Sequence, residues 1–245
     1  TLDRNLITAV VSKNGTIVYS TFCDDAKSKI VVINKNESKK LEYEVNDGYV
    51  TTLAVNSNAS KIAFTSVNSK DAFLSSTVHI FNLSNEEMTF EKEFKKSDIL
   101  DLHFTDSNNL YIVGSDFLSI VKSGKNAEYI LKQGSISTVN HCYTSPNELL
   151  INYSDFSNSS KSKLDYVKSN GNIKTSIPLK SASKGITSNS NEITVLFHNK
   201  ICVYSLTSGE LKHSVNCDTS VNSAYSLSSR IYVQYGQCID VIKKD

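Results

Sequence analysis

Three observations predict that this 245-residue chain is an all-β protein, a β-propeller of four-stranded antiparallel blades. Short runs rich in Val, Ile, Tyr, Phe and Thr alternate throughout with clusters of Asn, Ser, Asp and Gly, the pattern of strands joined by turns. One hairpin-like phrase recurs five times: "SKIVVINKNESKKLEYEV" (28–45), "STVHIFNLSNEEMTFEKEF" (76–94), "DFLSIVKSGKNAEYIL" (116–131), "KSKLDYVKSNGNIKTSIPL" (161–179) and "HNKICVYSLTSGELKHSV" (198–215). Its turn residues Asn36, Asn85, Gly124, Gly171 and Gly209 stand 49, 39, 47 and 38 residues apart, close to the roughly 40 to 50 residues of a propeller blade.

Each phrase supplies a third and a fourth strand, and two further runs precede it. The first strands read "LITAVVS", "VTTLAVN", "ILDLHFT", "STVNHCYT", "GITSNS" and "VNSAYSLS"; the second read "TIVYSTF", "KIAFTSV", "NLYIVGS", "ELLINYS", "EITVLFH" and "RIYVQYG". The units run over 6–45, 50–94, 99–132, 137–179, 185–216 and 221–245, within a single expected domain, 1–245. The last stops after a third strand, "CIDVIKKD". That accounts for about six blades, with seven or eight expected if upstream sequence completes the ring. Second and third strands, buried between neighbouring sheets, should be the most apolar and fourth strands the most polar. "KIAFTSV" and "KKLEYEV" show that contrast. The window "NEEMTFEKEFKKSD" spaces Phe90 and Phe94 as a helix would, but its place in the repeat makes it a fourth strand.

Composition narrows the function. Hydrophobic residues make up 39% and charged residues 21%, enough for a real core. Twenty-six basic side chains nearly balance 25 acidic ones, and no basic run exceeds two residues, so nucleic acid is not an expected partner. No apolar stretch approaches the roughly 18 residues of a spanning helix. The only methionine is Met88 and the chain opens at Thr1, so natural sequence is expected upstream. Cys23, Cys142, Cys202, Cys217 and Cys238 are odd in number and form no C-x-x-C pair, arguing for buried thiols rather than disulfides or zinc. Cys202 and Cys217 flank one hairpin and would pair only if in register. Six N-x-[ST] sequons, at Asn14, Asn36, Asn58, Asn82, Asn152 and Asn158, match chance in a chain so rich in Asn, Ser and Thr.

Motifs for chemistry are sparse. His79, His103, His141, His198 and His213 show no metal-ligand spacing, and no calcium loop occurs, so neither metal nor other cofactor is expected. Asp101 and His103 share one strand face, an acid beside an imidazole, yet no nucleophile motif accompanies them and a polar structural pair is expected. Absence of Trp excludes the Trp-Asp strand ending, the quinoprotein docking motif and the complete sialidase Asp-box; absence of Gly-Gly pairs excludes kelch blades. The turns "CDDAKSK" and "NSKDAFLSS" fall between second and third strands, on the face where propellers commonly bind. Asp24, Asp25, Lys70, Asp71, Asp116, Asp155 and Lys200 are therefore the candidate partner-binding residues, against the plainer reading of Asp, Asn and Ser as turn formers. "SDFSNSSKSK" (154–163) reads as a long exposed loop.

The stretches "NLITAVVSKNGTIVYSTFCDDAKSKIVVIN", "VTTLAVNSNASKIAFTSVNSKDAFLSSTVHIFNL" and "ILDLHFTDSNNLYIVGSDFLSIV" resemble a family of uncharacterised bacterial propellers. Its members occur in clostridia and related Gram-positive bacteria, where a domain of unknown function follows an N-terminal membrane anchor. The likeness covers most of the chain, most clearly residues 5–122, and rests on strand pattern and the phrases "DLHF" and "STVHIFNL". It implies a missing anchor, further N-terminal strands and placement outside the membrane, and it carries over no catalytic residue.

The reading that follows is a non-enzymatic interaction or sensing module, the extracytoplasmic part of an anchored bacterial protein, whose partner is a protein or a cell-envelope component. Two alternatives stand beside it. One is an envelope enzyme acting on glycan or lipid with carboxylates at the channel mouth; the other is a cytoplasmic WD40-like scaffold, which five free thiols and balanced charge suit equally well.

Overall fold

Alternation of buried and exposed side chains along short strands makes antiparallel meanders the natural product of this sequence. A computed structural model describes residues 5–36, 38–70, 73–122, 125–155 and 158–244, with the backbone alone described at 40, 70 and 158–160. All regular structure among the described residues is strand, gathered into six antiparallel sheets, and none is helix. The chain divides into two compact units, Thr1–Gln133 and Gly134–Asp245.

The first unit holds three meanders. Sheet one runs β1 (Leu6–Val11), β2 (Ile17–Phe22), β3 (Ser28–Ile33) and β4 (Lys39–Val45). Sheet two runs β5 (Tyr49–Val55), β6 (Lys61–Lys70), β7 (Phe73–Asn82) and β8 (Glu87–Lys95). Sheet three runs β9 (Ile99–Phe104), β10 (Leu110–Gly114), β11 (Leu118–Val121) and β12 (Ala127–Leu131). The second unit holds β13 (Ile136–Ser145), β14 (Glu148–Asp155), β15 (Asn158–Lys168) and β16 (Ile173–Leu179), then β17 (Gly185–Ser188), β18 (Glu192–Leu196), β19 (Lys200–Ser205) and β20 (Leu211–Asn216). Its last sheet has three strands, β21 (Ser223–Leu227), β22 (Arg230–Tyr235) and β23 (Cys238–Lys243).

Apolar side chains from consecutive sheets form the cores. Val18, Ile30 and Val32 meet Val50, Ile62 and Phe64 between sheets one and two. Ile80, Phe90 and Phe94 meet Leu102, Ile112 and Phe117 between sheets two and three, where the Phe94 and Phe117 rings stack at 4.7 Å. In the second unit Leu150, Leu164 and Ile177 meet Ile193 and Val195, and Ile201 and Val203 meet Ala224, Ile231 and Val233. Strands β10 and β11 are buried at every position, whereas β8 alternates strictly and buries Phe90 and Phe94. The spacing that mimicked a helix is therefore two turns of a period-two pattern.

Turn chemistry repeats as faithfully as packing. Between first and second strands Gly15, Ala59 and Asn108 all take positive φ, each donating its N–H to the carbonyl three residues back, at Ser12, Asn56 and Thr105. Between third and fourth strands Glu86, Gly171 and Gly209 take positive φ. The register slips beside each of these turns, the signature of a hairpin closed by a bulge.

Two expectations need correction. The described part of 154–163 is ladder, not loop: Tyr153 faces Lys163, Ser154 faces Ser162 and Asp155 faces Asn158, while 156 and 157 lie outside the described residues. Ser162 is accommodated there because its hydroxyl donates to the Tyr153 carbonyl and accepts from Asn152 Nδ2 at 2.8 Å. The thiols are not uniformly buried either, since only Cys202 is, while Cys238 is exposed on β23. All five are free, and Cys202 lies opposite Ser214 rather than Cys217.

Candidate functional site

An antiparallel meander brings its second-to-third connection and its exit to the next sheet out at the same end. In the first unit that end carries Asp24 and Asp25 between β2 and β3, Lys70 closing β6, and Asp116 between β10 and β11. Asp71 lies outside the described residues. In the second unit Asp155 closes β14 and Lys200 opens β19. Of these seven, the structure brings Asp24 and Asp25 together, in a cleft of about 430 Å³ lined also by Phe22, Cys23, Ala26, Lys27, Asn46 and Tyr49. Asp116 is not among its walls.

Two backbone segments build this cleft, the β2–β3 loop and the β4–β5 connection. They are pinned together by the buried Ser28 hydroxyl, which accepts the Val50 N–H at 3.0 Å. Asn68 Nδ2 donates to the Asp47 carbonyl at 2.8 Å and anchors the connection to β6. Gly48 lets it lie flat, because a Cβ there would stand 2.8 Å from the Val67 carbonyl oxygen. Phe22 and Tyr49 face each other edge to face at 6.1 Å. Each residue is about half exposed, 48% and 50%, a conspicuous expense of apolar surface. Behind the cleft, Lys29 lies 3.7 Å from both Glu42 and Glu44, and the Glu42 charge holds its ammonium above the usual lysine range. Sequence reasoning found the two aspartates and missed the aromatic pair. The available signal was a Phe ending a strand beside "CDD" and a Tyr opening the next strand after "NDG".

A second cleft, about 450 Å³, lies in the second unit against Asn189, Asn191, Glu192, Thr207, Lys212 and Leu227. Its charged groups and Asn189 are engaged internally. The Glu192 carboxylate accepts from Lys244 Nζ at 2.5 Å and from Ser226 Oγ, and Asn189 Nδ2 donates to the Ser226 carbonyl at 2.6 Å. Burial alone would raise the Glu192 pKa, but the hydrogen bonds from Lys244 and Ser226 and the charges of Lys244 and Lys212 outweigh it and hold the group below the usual glutamate range. This cleft is a structural seam between the last two sheets.

Buried polar pins occur at one rung of three sheets. His79 faces Phe64 and Glu91, Ser119 faces Ile112 and Tyr129, and Asp165 faces Ile151 and Ser176. In sheet two Ser66 Oγ is 2.9 Å from His79 Nε2, and Glu91 is 3.4 Å from His79 Nδ1. That is the order of a nucleophile, base and acid. Yet Ser66 is 3% and His79 4% exposed and neither lines a described cleft, so the set ties strands together. Burial pushes the His79 pKa down and keeps the ring neutral. In the second unit Asp165 accepts from Tyr153 Oη at 2.7 Å and Ser176 Oγ at 2.5 Å. Asp101 and His103 are half-buried on one face of β9, and Asp101 accepts the Leu102 N–H at 2.8 Å. Burial lifts the Cys142 thiol to about 11, away from nucleophilic use. Among the described residues no group of three His, Cys, Asp or Glu is placed to hold a metal, and no helix is long and apolar enough to cross a membrane.

Solved structures of similar shape are propellers. Kluyveromyces lactis Hsv2 superposes with a TM-score of 0.62 at 15% identity, over 98% of this chain and 75% of that one. The β-propeller domain of Myceliophteria thermophila Cps50 (Swd1) gives 0.55 at 10% identity, over 98% of this chain and 85% of its own. The Dos1 propeller gives 0.61 at 9%, over 97% and 67%. At such identities the likeness establishes the WD40-like propeller fold and leaves activity open. No curated protein matches in sequence. The family model for DUF5711, a family of unknown function, matches residues 1–243, and the chain belongs to that family.

Proposed function

We propose that this chain is a non-enzymatic interaction module that binds a protein partner through the end of its first unit carrying the Phe22–Tyr49 cleft. The observation behind this reading is the exposed aromatic pair, held by Ser28, Gly48 and Asn68 beside two carboxylates. Rigid aromatic anchors in a preformed recess are what contact surfaces use, because two-torsion side chains lose little entropy on binding. Asp24 and Asp25 belong to this surface, and Lys70, Asp71 and Asp116 are proposed to extend it on the same unit. Asp155 and Lys200 are proposed to serve the corresponding end of the second unit. A photo-crosslinking side chain at Ala26 should trap a discrete protein adduct in cells, and the same group at Asn85, at the opposite end of the meander, should not. Equal adducts from both positions, or none from Ala26, would refute the reading.

The second part of the proposal is placement outside the membrane, on an anchor, as the likeness to anchored bacterial propellers suggests. Protease added to intact cells should cleave the full-length protein while sparing a cytoplasmic marker. Protection until lysis would sink this part and favour a cytoplasmic scaffold.

A further inference from the structure

We infer that His79 is a pH-sensitive switch beneath the Phe22–Tyr49 cleft: protonation of its buried ring loosens residues 46–49, the segment that carries the Tyr49 wall. This deepens the proposed function as a regulation of the same site, and it rests on that reading for its consequence to a partner. The segment has two sides. Asn46 and Tyr49 line the cleft, whereas Asp47 and Gly48 lie against sheet two, where Asn68 Nδ2 holds the Asp47 carbonyl at 2.8 Å. A Cβ at Gly48 would stand 3.0 Å from Ser66 Cβ, so the glycine is seated directly on that serine. Ser66 is in turn the hydrogen-bond partner of His79, its Oγ 2.9 Å from Nε2.

The His79 ring is enclosed and only half satisfied. It stacks on Phe64 at 4.5 Å, and its buried Nδ1 has no hydrogen-bond partner among the described residues, although Glu91 Oε2 stands 3.4 Å away. The titratable groups around it come from each element packed there: Glu91 on β8, Tyr43 on β4 against Phe64, and Asp47 in the β4–β5 connection. Glu93, next on that face of β8, is engaged by Ser75 at 2.6 Å and by Lys95. Burial holds the ring neutral, while the Asp47 and Glu91 charges pull the other way. The Glu91 carboxylate favours the neutral ring's proton on Nδ1, which leaves Nε2 to accept the Ser66 hydroxyl. Once Nε2 carries a proton of its own it donates, and Ser66 must turn its hydrogen to another acceptor. Ser66 is buried and packed under Gly48, and a close-packed interior passes that turn to the residues above it.

The test is an NMR pH titration of the full chain that follows the His79 imidazole and the Phe22 and Tyr49 rings together. As pH falls below 6.5, the Tyr49 signals should shift along the same curve as His79, while Ile112, fully buried in the neighbouring core, keeps its native position and reports the fold. Glu91→Gln, at an exposed position, removes a charge that favours the imidazolium and should move both curves to lower pH by the same amount. Ser66→Ala should leave His79 titrating and uncouple Tyr49 from it, and His79→Gln should abolish the Tyr49 transition. Should either of these two variants fail to fold, Glu91→Gln decides alone. A Tyr49 ring that is still while His79 titrates, a Tyr49 curve that Glu91→Gln leaves in place, or loss of the native Ile112 signal in step with Tyr49 would overturn the switch. If Ala26 traps a partner while Tyr49 ignores His79, this inference falls and the interaction reading survives. If Tyr49 follows His79 and Ala26 traps nothing, the interaction reading falls and the switch stands as a property of the cleft.

Discussion

Replacing Glu192 by glutamine tests whether the seam between the last two sheets is held by charge. The carboxylate and the Lys244 ammonium are 13% and 4% exposed and 2.5 Å apart, and Lys244 also donates to the Ser228 carbonyl at 2.6 Å. Removing one partner of a buried pair costs about 3–5 kcal/mol because the other charge stays desolvated. Here the ammonium keeps Ser228 and gains an amide oxygen, so the lower end, about 3 kcal/mol, applies. The pH dependence follows from the same contacts. Glu192 is held below its ordinary value of 4.5, so its contribution is fully present above that value and is lost as pH falls through the lower folded value. Urea unfolding of wild type and Glu192→Gln should differ by about 3 kcal/mol from pH 5 to 8, with equal slopes, and the curves should converge in acid. A difference below about 1 kcal/mol at pH 7, or one that persists unchanged into acid, would refute the buried-pair account.

Other perturbations read other parts of the fold. Phe117→Ala removes a fully buried ring stacked on Phe94 and should cost the first unit about 3–5 kcal/mol in chemical denaturation, with Phe117→Leu costing visibly less. Glu86→Gly relieves a left-handed backbone at an exposed hairpin position and should be neutral to stabilising by about 0.5 kcal/mol, since relief of strain is partly offset by chain entropy. Gly209→Ala should destabilise by about 1–2 kcal/mol, because φ is +73 and the new methyl would stand 2.8 Å from Thr175 Cγ2. Lowering the pH below 6.5 should destabilise the first unit through His79: burial depresses its folded pKa, so the unfolded chain takes up the proton first. His79→Gln should flatten that slope in pH-dependent thermal melts.

What the sequence discloses follows the range of the forces involved. Strand order, the turns at Asn85, Gly171 and Gly209 and the strand identity of Glu87–Lys95 come from short-range patterning, and the structure agrees with them. The serine-rich 154–163 misleads because composition marks it as loop, while pairing satisfies Ser162 within the ladder. The polar pins were visible as "VHI", "LSI" and "LDY", one polar residue inside each apolar third strand. Their meaning was not, because the partners Ser66, Glu91, Tyr153 and Ser176 come from neighbouring strands. The candidate site was half legible for the same reason. Asp24 and Asp25 announce themselves in a turn, but Tyr49 reaches Phe22 only through the exit of a different strand.

Departures from the apolar repeat therefore fall into two kinds, and the difference between them bears on function. His79, Asp165 and Glu192 break the hydrophobic rule inside the sheets; Asp165 and Glu192 are answered by partners within their own unit, and His79 by Ser66 at Nε2. Such residues hold strands in register and need nothing from outside. Phe22 and Tyr49 break the opposite rule, exposing apolar rings at the end of one strand and the start of another. Keeping two rings half-exposed forgoes the free energy of burying them, and Ser28 and Gly48 fix the segments that carry them. A local conflict that the rest of the fold stabilises rather than relieves is the kind that binding resolves, which is the ground on which the partner surface is proposed at this cleft.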